Sequence, residues 1–310
     1  MRKLLALVLL LVALACQPLP TPGPAGTTTT TSTSTTTTTR PSQTDLEARI
    51  RQNAVTTIDQ TVNVTSLNLS GIRDRTINFG PNGKLRRTVT PTASTSQVII
   101  LNGASNVTIN GLRIDGDTVT AAHPDGCVEQ DPNLRSFGVD SQGVIYDPKI
   151  EHQHGIEISG SSNITLSGGL IQGLHGDGVY LAGGSSGIRI NNLTARCVGR
   201  GALVSVGSQD VVVSNSYFGK AGFWSLNIEP DLQAEVRGFR VENSTFGYAT
   251  GNWFFSGGPY YSCKVSGVRI VNPRVEPQIW GWYTKPCSPA TDIQISGCTT
   301  TGSRPACLRQ

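Results

Sequence analysis

The chain is predicted to fold as an all-β solenoid: single strands wind into stacked coils, a parallel β-helix, and one short helix closes the N-terminal end. Three observations predict it. Short segments with strand-like alternation recur along the chain. A residue suited to left-handed backbone follows each of them at the same phase. The recurrences stand 23 to 29 residues apart after the first gap, room for one coil and no more.

The segments are "NVTINGLRI" from 106, "NITLSGGLI" from 163, "GIRINNLTA" from 187, "DVVVSNSYF" from 210, "GFRVENSTF" from 238, "GVRIVNPRV" from 267 and "DIQISGCTT" from 292. Apolar residues alternate in each, as Val107 with Ile109, Ile190 with Ile188, and Val241 with Phe239. Period two means strand. Two positions past the second apolar residue stand Gly111, Gly168, Asn192, Asn215, Asn243, Asn272 and Gly297. Gly and Asn enter the left-handed region most readily, so a sharp bend is expected at each. A repeat of this length with fixed bends is a solenoid. Its coils are expected about 4.8 Å apart, with Asn side chains hydrogen-bonding along the stack. A propeller needs longer, four-stranded blades. Before the repeat, "TDLEARIRQNA" at 44–54 has helical spacing and is expected to cap the otherwise unpaired first coil.

These residues resemble the right-handed parallel β-helix of the pectin-lyase-like superfamily over roughly residues 55–310. The handedness is implied by that resemblance.

The ends read differently from the body. Arg2 and Lys3 precede an apolar run, Leu4 to Leu14, and "ALA" leads into Cys16. This is the plan of an export signal, residues 1–15, and the run is too short to span a bilayer. "ALA" followed by Cys16 is similar to a bacterial lipobox, which implies a lipidated Cys16 and a membrane anchor; an ordinary secretory cut nearby is the alternative. Residues 16–43 read as a tether, rich in Pro and Gly and then purely Thr and Ser over 27–39, with nothing to bury. The β-helix domain is expected over 44–310, with an insertion at about 116–153 where the repeat breaks. That insertion carries Asp117, Asp125, Glu129, Asp131, Asp140 and Asp147, either a solvated acidic loop or oxygen ligands for Ca²⁺.

The net charge of +4 forms no basic patch with interleaved aromatics, so nucleic acid is not an expected partner; a monomer is expected. Six cysteines follow Cys16. Export permits disulfides, and six thiols allow 15 pairings. Cys263 with Cys287 and Cys298 with Cys307 are nearest in sequence; buried free thiols, Cys298 among them, are the other reading.

A second strand column recurs: "HGIEISG" from 154, "DGVYLAG" from 177, "RGALVSVG" from 200, "WSLNIEP" from 224 and "NWFFSGG" from 252. Aligned by position, Ile156, Val179, Ala202 and Leu226 face inward. Glu157, Tyr180, Leu203 and Asn227 then form one solvent-facing column, and Ser159, Ala182, Ser205 and Glu229 the next. His154, Asp177, Arg200 and Trp224 share the lead-in corner. Adjacent glycines are expected to leave room above Asp177 for a ligand in a long, shallow groove. "GDGVYL", "GRG" and "NIEP" resemble successions in carbohydrate-facing bacterial and phage β-helix proteins, which implies a polysaccharide partner.

Four chemistries fit the column. β-Elimination or epimerisation on uronic acids needs a cation for the carboxylate, a base and an acid: Arg200, His154 or His175, and Tyr180. Glycoside hydrolysis needs two carboxyl groups about 5 to 9.5 Å apart. Asp177 and Glu229 lie too far apart, while Glu157 with Asp177, at about 11 Å between backbones, comes closer. The signatures of the polygalacturonase-like hydrolases are missing. His152, His154, His175 and Asp177 on adjacent coils suit a transition metal; no cofactor is otherwise expected. A glycan-binding scaffold is the fourth reading, with Pro230 ending the strand and Glu229 accepting backbone donors. Trp224 and Trp253 are candidate sugar-stacking residues beside Asn227 and Glu229; Trp280 and Trp282 are expected to pack loops.

Overall fold

The computed structural model describes residues 41–88, 97–121, 124, 127, 152–230, 234–247, 249, 253–257, 264–276, 281–284 and 293–300. The export signal, Cys16, the tether as far as residue 40, most of the insertion and Trp280 lie outside the described residues; residues 42 and 43, read as the end of the tether, belong to the capping helix and its cap. Among those described, every strand pairing is parallel, and the chain winds as a β-solenoid of about seven turns with one helix near its N-terminus.

Ile109 pairs in register with Leu166, Leu166 with Ile190, Ile190 with Val213, Val213 with Val241, Val241 with Ile270, and Ile270 with Ile295. One inward position of the repeat thus becomes one continuous apolar row, buried until Ile295. Phe218, Phe239 and Phe246 are the largest of the fully buried side chains. Two sheets result. A long one of 17 strands holds the repeat segments, and a shorter one of eight strands holds the second column, including Ile156–Ser159, Val179–Ala182, Gly201–Ser205 and Trp224–Ile228.

The bends stand where the repeat places them. Gly111, Gly168, Asn192, Asn215, Asn243, Asn272 and Gly297 all have φ between 47° and 70°. A second left-handed column opens six of these strands and the strand before them: Asp74, Asn106, Asn163, Gly187, Asp210, Gly238 and Gly267, with φ between 52° and 67°. The signal was the Asn, Gly or Asp that begins each segment. Both corners carry side-chain ladders. Asn163 Nδ2 donates to Asn106 Oδ1 (3.1 Å), Asn106 Nδ2 to Asp74 Oδ1 (2.8 Å), and Asn272 Nδ2 to Asn243 Oδ1 (3.1 Å).

The capping helix is Gln43–Gln52, with Ser42 as N-cap in a capping box with Asp45. It starts one residue earlier than 44, after the cap that Ser42 supplies. Its side chains take the place of a further strand. Gln43 accepts from the Thr65 N–H (2.9 Å), Glu47 accepts from the Asn68 N–H (3.0 Å), and Arg51 donates to the Asn68 and Ser70 carbonyls (2.8 and 3.1 Å). Arg75 Nε and Nη2 in turn donate to the last helical carbonyls, Ile50 O and Arg51 O, at 2.9 and 2.6 Å. The first coil's edge is thereby closed.

A disulfide joins Cys127, inside the insertion, to Cys197 on the long sheet, Cα–Cα 4.7 Å. Neither was among the pairs nearest in sequence, because stacking brings together residues 70 apart. Cys298 is disulfide-bonded, which corrects its reading as a free thiol. Cys263, Cys287 and Cys307 lie outside the described residues.

Candidate functional site

The second column forms with one shift of register. Tyr180 pairs with Glu157 and Val179 with Ile156, as aligned. On the next coil Val179 pairs with Leu203 and Tyr180 with Val204, and Gly201 pairs with Trp224. The outward column is therefore Glu157, Tyr180, Val204 and Asn227; Leu203 turns inward between Val179 and Leu226, and Ser205 between Leu181 and Ile228. The corner before this strand holds one residue more than the alignment allowed. Ala202, Leu203 and Val204 are all apolar, so alternation gave no phase there.

The shift puts Gly201, not Arg200, level with Asp177. Asp177 still meets both neighbours. Its Oδ1 accepts from the Gly201 N–H at 2.7 Å, and Arg200 Nε stands 3.5 Å from the same oxygen. On the other side, His154 Nδ1 lies 3.2 Å from the Asp177 amide nitrogen and 3.2 Å from Oδ2. One ring nitrogen serves only one of these at a time. It accepts from the amide, leaving Oδ2 unpaired, or carries a proton and donates to Oδ2. The His154 ring lies flat against Tyr180, centroids 4.3 Å apart and planes within 7°.

Burial corrects the expected groove. Asp177 is 0% and His154 1% exposed, and Asn227 is also buried. The glycines leave no room for a ligand; they are where coils touch. A Cβ on Gly178 would stand 2.6 Å from the Ala202 carbonyl oxygen, and one on Gly155 2.6 Å from that of Gly178. Burial pushes the Asp177 pKa up, but the Arg200 charge, His154 and the Gly201 N–H together outweigh it and hold the carboxyl below its usual range. It is a buried anion beneath the surface layer. That layer keeps Glu157, Tyr180, Trp224 and Glu229 half-buried and the Arg200 side chain 15% exposed.

The remaining candidates separate. His175 leaves the His154–Asp177 pair and binds Asp117, Nε2 to Oδ2 2.6 Å. Asp117 was counted among the insertion's acids; it reaches His175 by stacking, 58 residues away in sequence. The other acids of the proposed Ca²⁺ set lie outside the described residues. His152 is exposed, its ring 6.1 Å from that of His154. Among the described residues, no three His, Cys, Asp or Glu side chains converge on one metal position. Asn227 Nδ2 donates to Glu229 Oε2 at 3.0 Å. Trp224 stacks on Phe223 with centroids 5.0 Å apart, and Trp253 pairs with it in register on the following strand. Trp282 lies on the strand Gly281–Thr284. The paired carboxyls of hydrolysis are not presented together: Asp177 is enclosed, whereas Glu157 is on the outer face.

No curated protein sequence matches this chain. Among solved structures, the Dettilon tailspike protein (gp208) aligns over 80% of this chain and 55% of its own, with 10% identity and a TM-score of 0.40. The chain therefore spans about half of that tailspike. PfbA, a surface adhesin of Streptococcus pneumoniae, aligns over 83% of this chain and 75% of its own, with 11% identity and a TM-score of 0.41. An endo-xylogalacturonan hydrolase from Aspergillus tubingensis aligns over 83% and 88%, with 14% identity and a TM-score of 0.35. The sequence profile described as "Right handed beta helix region" matches residues 97–275, more than half of the 310 residues. With that match and the stacked parallel coils, the chain belongs to the right-handed β-helix family.

Proposed function

We propose that the protein is a polysaccharide-active surface protein that binds uronic-acid-containing glycans along the outer face of the eight-stranded sheet and cleaves or epimerises them by proton abstraction next to the carboxylate. One observation carries this reading: Arg200 reaches the surface while its Nε is held by an enclosed carboxylate. A guanidinium fixed in this way offers a preset partner for a carboxylate. Tyr180, stacked on His154, supplies the acid. His154, enclosed beneath the Tyr180 ring, serves as the base only once Tyr180 turns aside, in the tautomer whose Nδ1–H donates to Asp177 Oδ2 and whose Nε2 is unprotonated. Asp177 then acts as a positioning residue. Half-buried Trp224 and the Asn227–Glu229 pair extend the binding face.

The burial of His154 and Asp177 favours a second reading, a glycan-binding scaffold without turnover. Ultraviolet absorbance against a panel of uronate polymers separates the two, because elimination leaves an absorbing double bond. Absorbance is expected to rise with at least one polymer and to rise on the order of 10²-fold more slowly for Arg200→Ala. Retention by a polymer with no absorbance from any, and no C5 exchange with deuterated water, leaves only the scaffold.

Attachment to a membrane through lipidated Cys16 belongs to the same proposal and places the β-helix on a tether at a cell surface. Cys16→Ser is expected to move the protein from the membrane pellet to the soluble fraction. A wild-type protein already found in the soluble fraction removes the anchor.

A further inference from the structure

Beside the His154–Asp177 corner lies a second group that the repeat pattern does not mark. Arg87 ends the strand Lys84–Arg87, Asp117 follows the strand Ser105–Asp115 by two residues, and His175 follows Ser162–Leu174 by one. Arg86 pairs with Asp115 and Asp115 with Gln172, so the three ends stack on one corner. His175 holds Oδ2 of Asp117. The other carboxylate oxygen, Oδ1, is buried and unpaired. Arg87 is 4% exposed, and its Nε and Nη1 meet no acceptor. Gln153, whose carbonyl accepts from the Gly176 N–H next to His175, is equally buried and leaves Oε1 unpaired.

Unpaired buried polar groups are destabilising, and in folded proteins they mark a water, an ion or a ligand. Here the unpaired atoms are of both kinds: donors on Arg87, acceptors on Asp117 and Gln153. Because Arg86 pairs with Asp115, stacking sets the guanidinium of Arg87 and the carboxylate of Asp117 at one corner, and two opposite charges there offer little net charge. A carboxylate or sulfate satisfies Arg87 and is repelled by Asp117; a cation does the reverse. Adjacent hydroxyl groups both donate and accept, and carry no charge. The Asp117 side chain is 12% exposed although its Oδ1 is enclosed, so a ligand enters from that side only as the corner opens.

We propose that Arg87, Asp117 and His175 form a second glycan subsite, one that holds two neighbouring hydroxyls of an uncharged sugar residue. One hydroxyl accepts from Arg87 and donates to Asp117 Oδ1, while His175 fixes the carboxylate. This rests on the reading of the protein as glycan-binding, and not on the elimination chemistry.

The test follows the His175 ring resonances by NMR in the intact protein. The probes are D-galactose, cis-1,2-cyclohexanediol, cyclohexanol and sodium acetate. Saturable shifts are expected with galactose and the diol, and none with cyclohexanol or acetate. Arg87→Gln and Asp117→Asn are each expected to weaken galactose binding by about tenfold or more with an unchanged circular-dichroism spectrum. If Arg87→Gln does not fold, Arg87→Lys reads the same point, since it keeps the charge and loses the guanidinium. No saturable shift with galactose or the diol means a water-filled corner and overturns the proposal. Tighter binding of acetate than of the diol makes it an anion site and also overturns it, as does unaltered galactose affinity in the variants. Galactose binding here with no uronate cleaved leaves this subsite standing and removes elimination; cleavage with no galactose shift does the opposite.

Discussion

Asp177→Ala is expected to destabilise the coil by about 3–5 kcal/mol, the usual cost of breaking a buried pair by removing one partner. The Gly201 N–H loses its acceptor in the interior, and the Arg200 guanidinium loses the oxygen it stands against. Asp177→Asn keeps the shape and isolates the charge. Its pH dependence follows from the depressed carboxyl pKa, which burial opposes and Arg200, His154 and the Gly201 N–H enforce. The folded state binds the proton less readily than the unfolded chain, whose aspartates titrate near about 3.9. The charged Asp177 therefore stabilises the fold fully above that pH, and the contribution is lost as pH falls through the lower, folded value. Urea midpoints of wild type and Asp177→Asn at neutral pH and at about pH 3 read this directly. The gap between them is expected to narrow in acid. A gap of the same size at both pH values means that the Asp177 carboxyl binds its proton equally well in the fold and in the unfolded chain, and the depressed pKa goes with it.

The second large effect belongs to the disulfide. Cys127–Cys197 closes a sequence separation of 70 residues. In the chain-entropy account a loop of that length is worth about 4 kcal/mol, on the order of 10 °C in melting temperature for a domain of this size. The double variant Cys127→Ser with Cys197→Ser is the appropriate probe, because reductant also opens the disulfide at Cys298. Its thermal melt is expected to fall by that amount with the far-ultraviolet spectrum of parallel strands retained. A melt superimposable on the wild type shows that the insertion is held in place without the link.

The two predictions mark the line between local and assembled information. Asn192, Asn215, Asn243 and Asn272 were legible because a left-handed φ is a requirement of single residues, met by few side chains. The row from Ile109 to Ile295 was legible because alternation and a steady repeat together imply register. Phase failed at Ala202–Val204, where three apolar residues in succession offer no alternation, and the corner at Arg200 and Gly201 absorbed an extra residue. Arg87 carried no signal, and Asp117 was legible only as one acid of the insertion. They flank the repeat rather than fill it, and only stacking across the insertion sets them against His175.

By itself, the sequence determined that this chain winds into parallel coils, where the bends fall, which residues of the long sheet line the core, and that His154, Asp177 and Arg200 are neighbours. Those properties depend on backbone preference and period, which each residue or short segment carries alone. The tertiary structure decided depth, pairing and partners: that Asp177 is an enclosed anion rather than a groove-facing acid, that His175 belongs to Asp117, and that Cys127 meets Cys197. Solvent access and side-chain partners depend on how closely one coil lies upon the next, here close enough that Gly155 and Gly178 have no space for a Cβ.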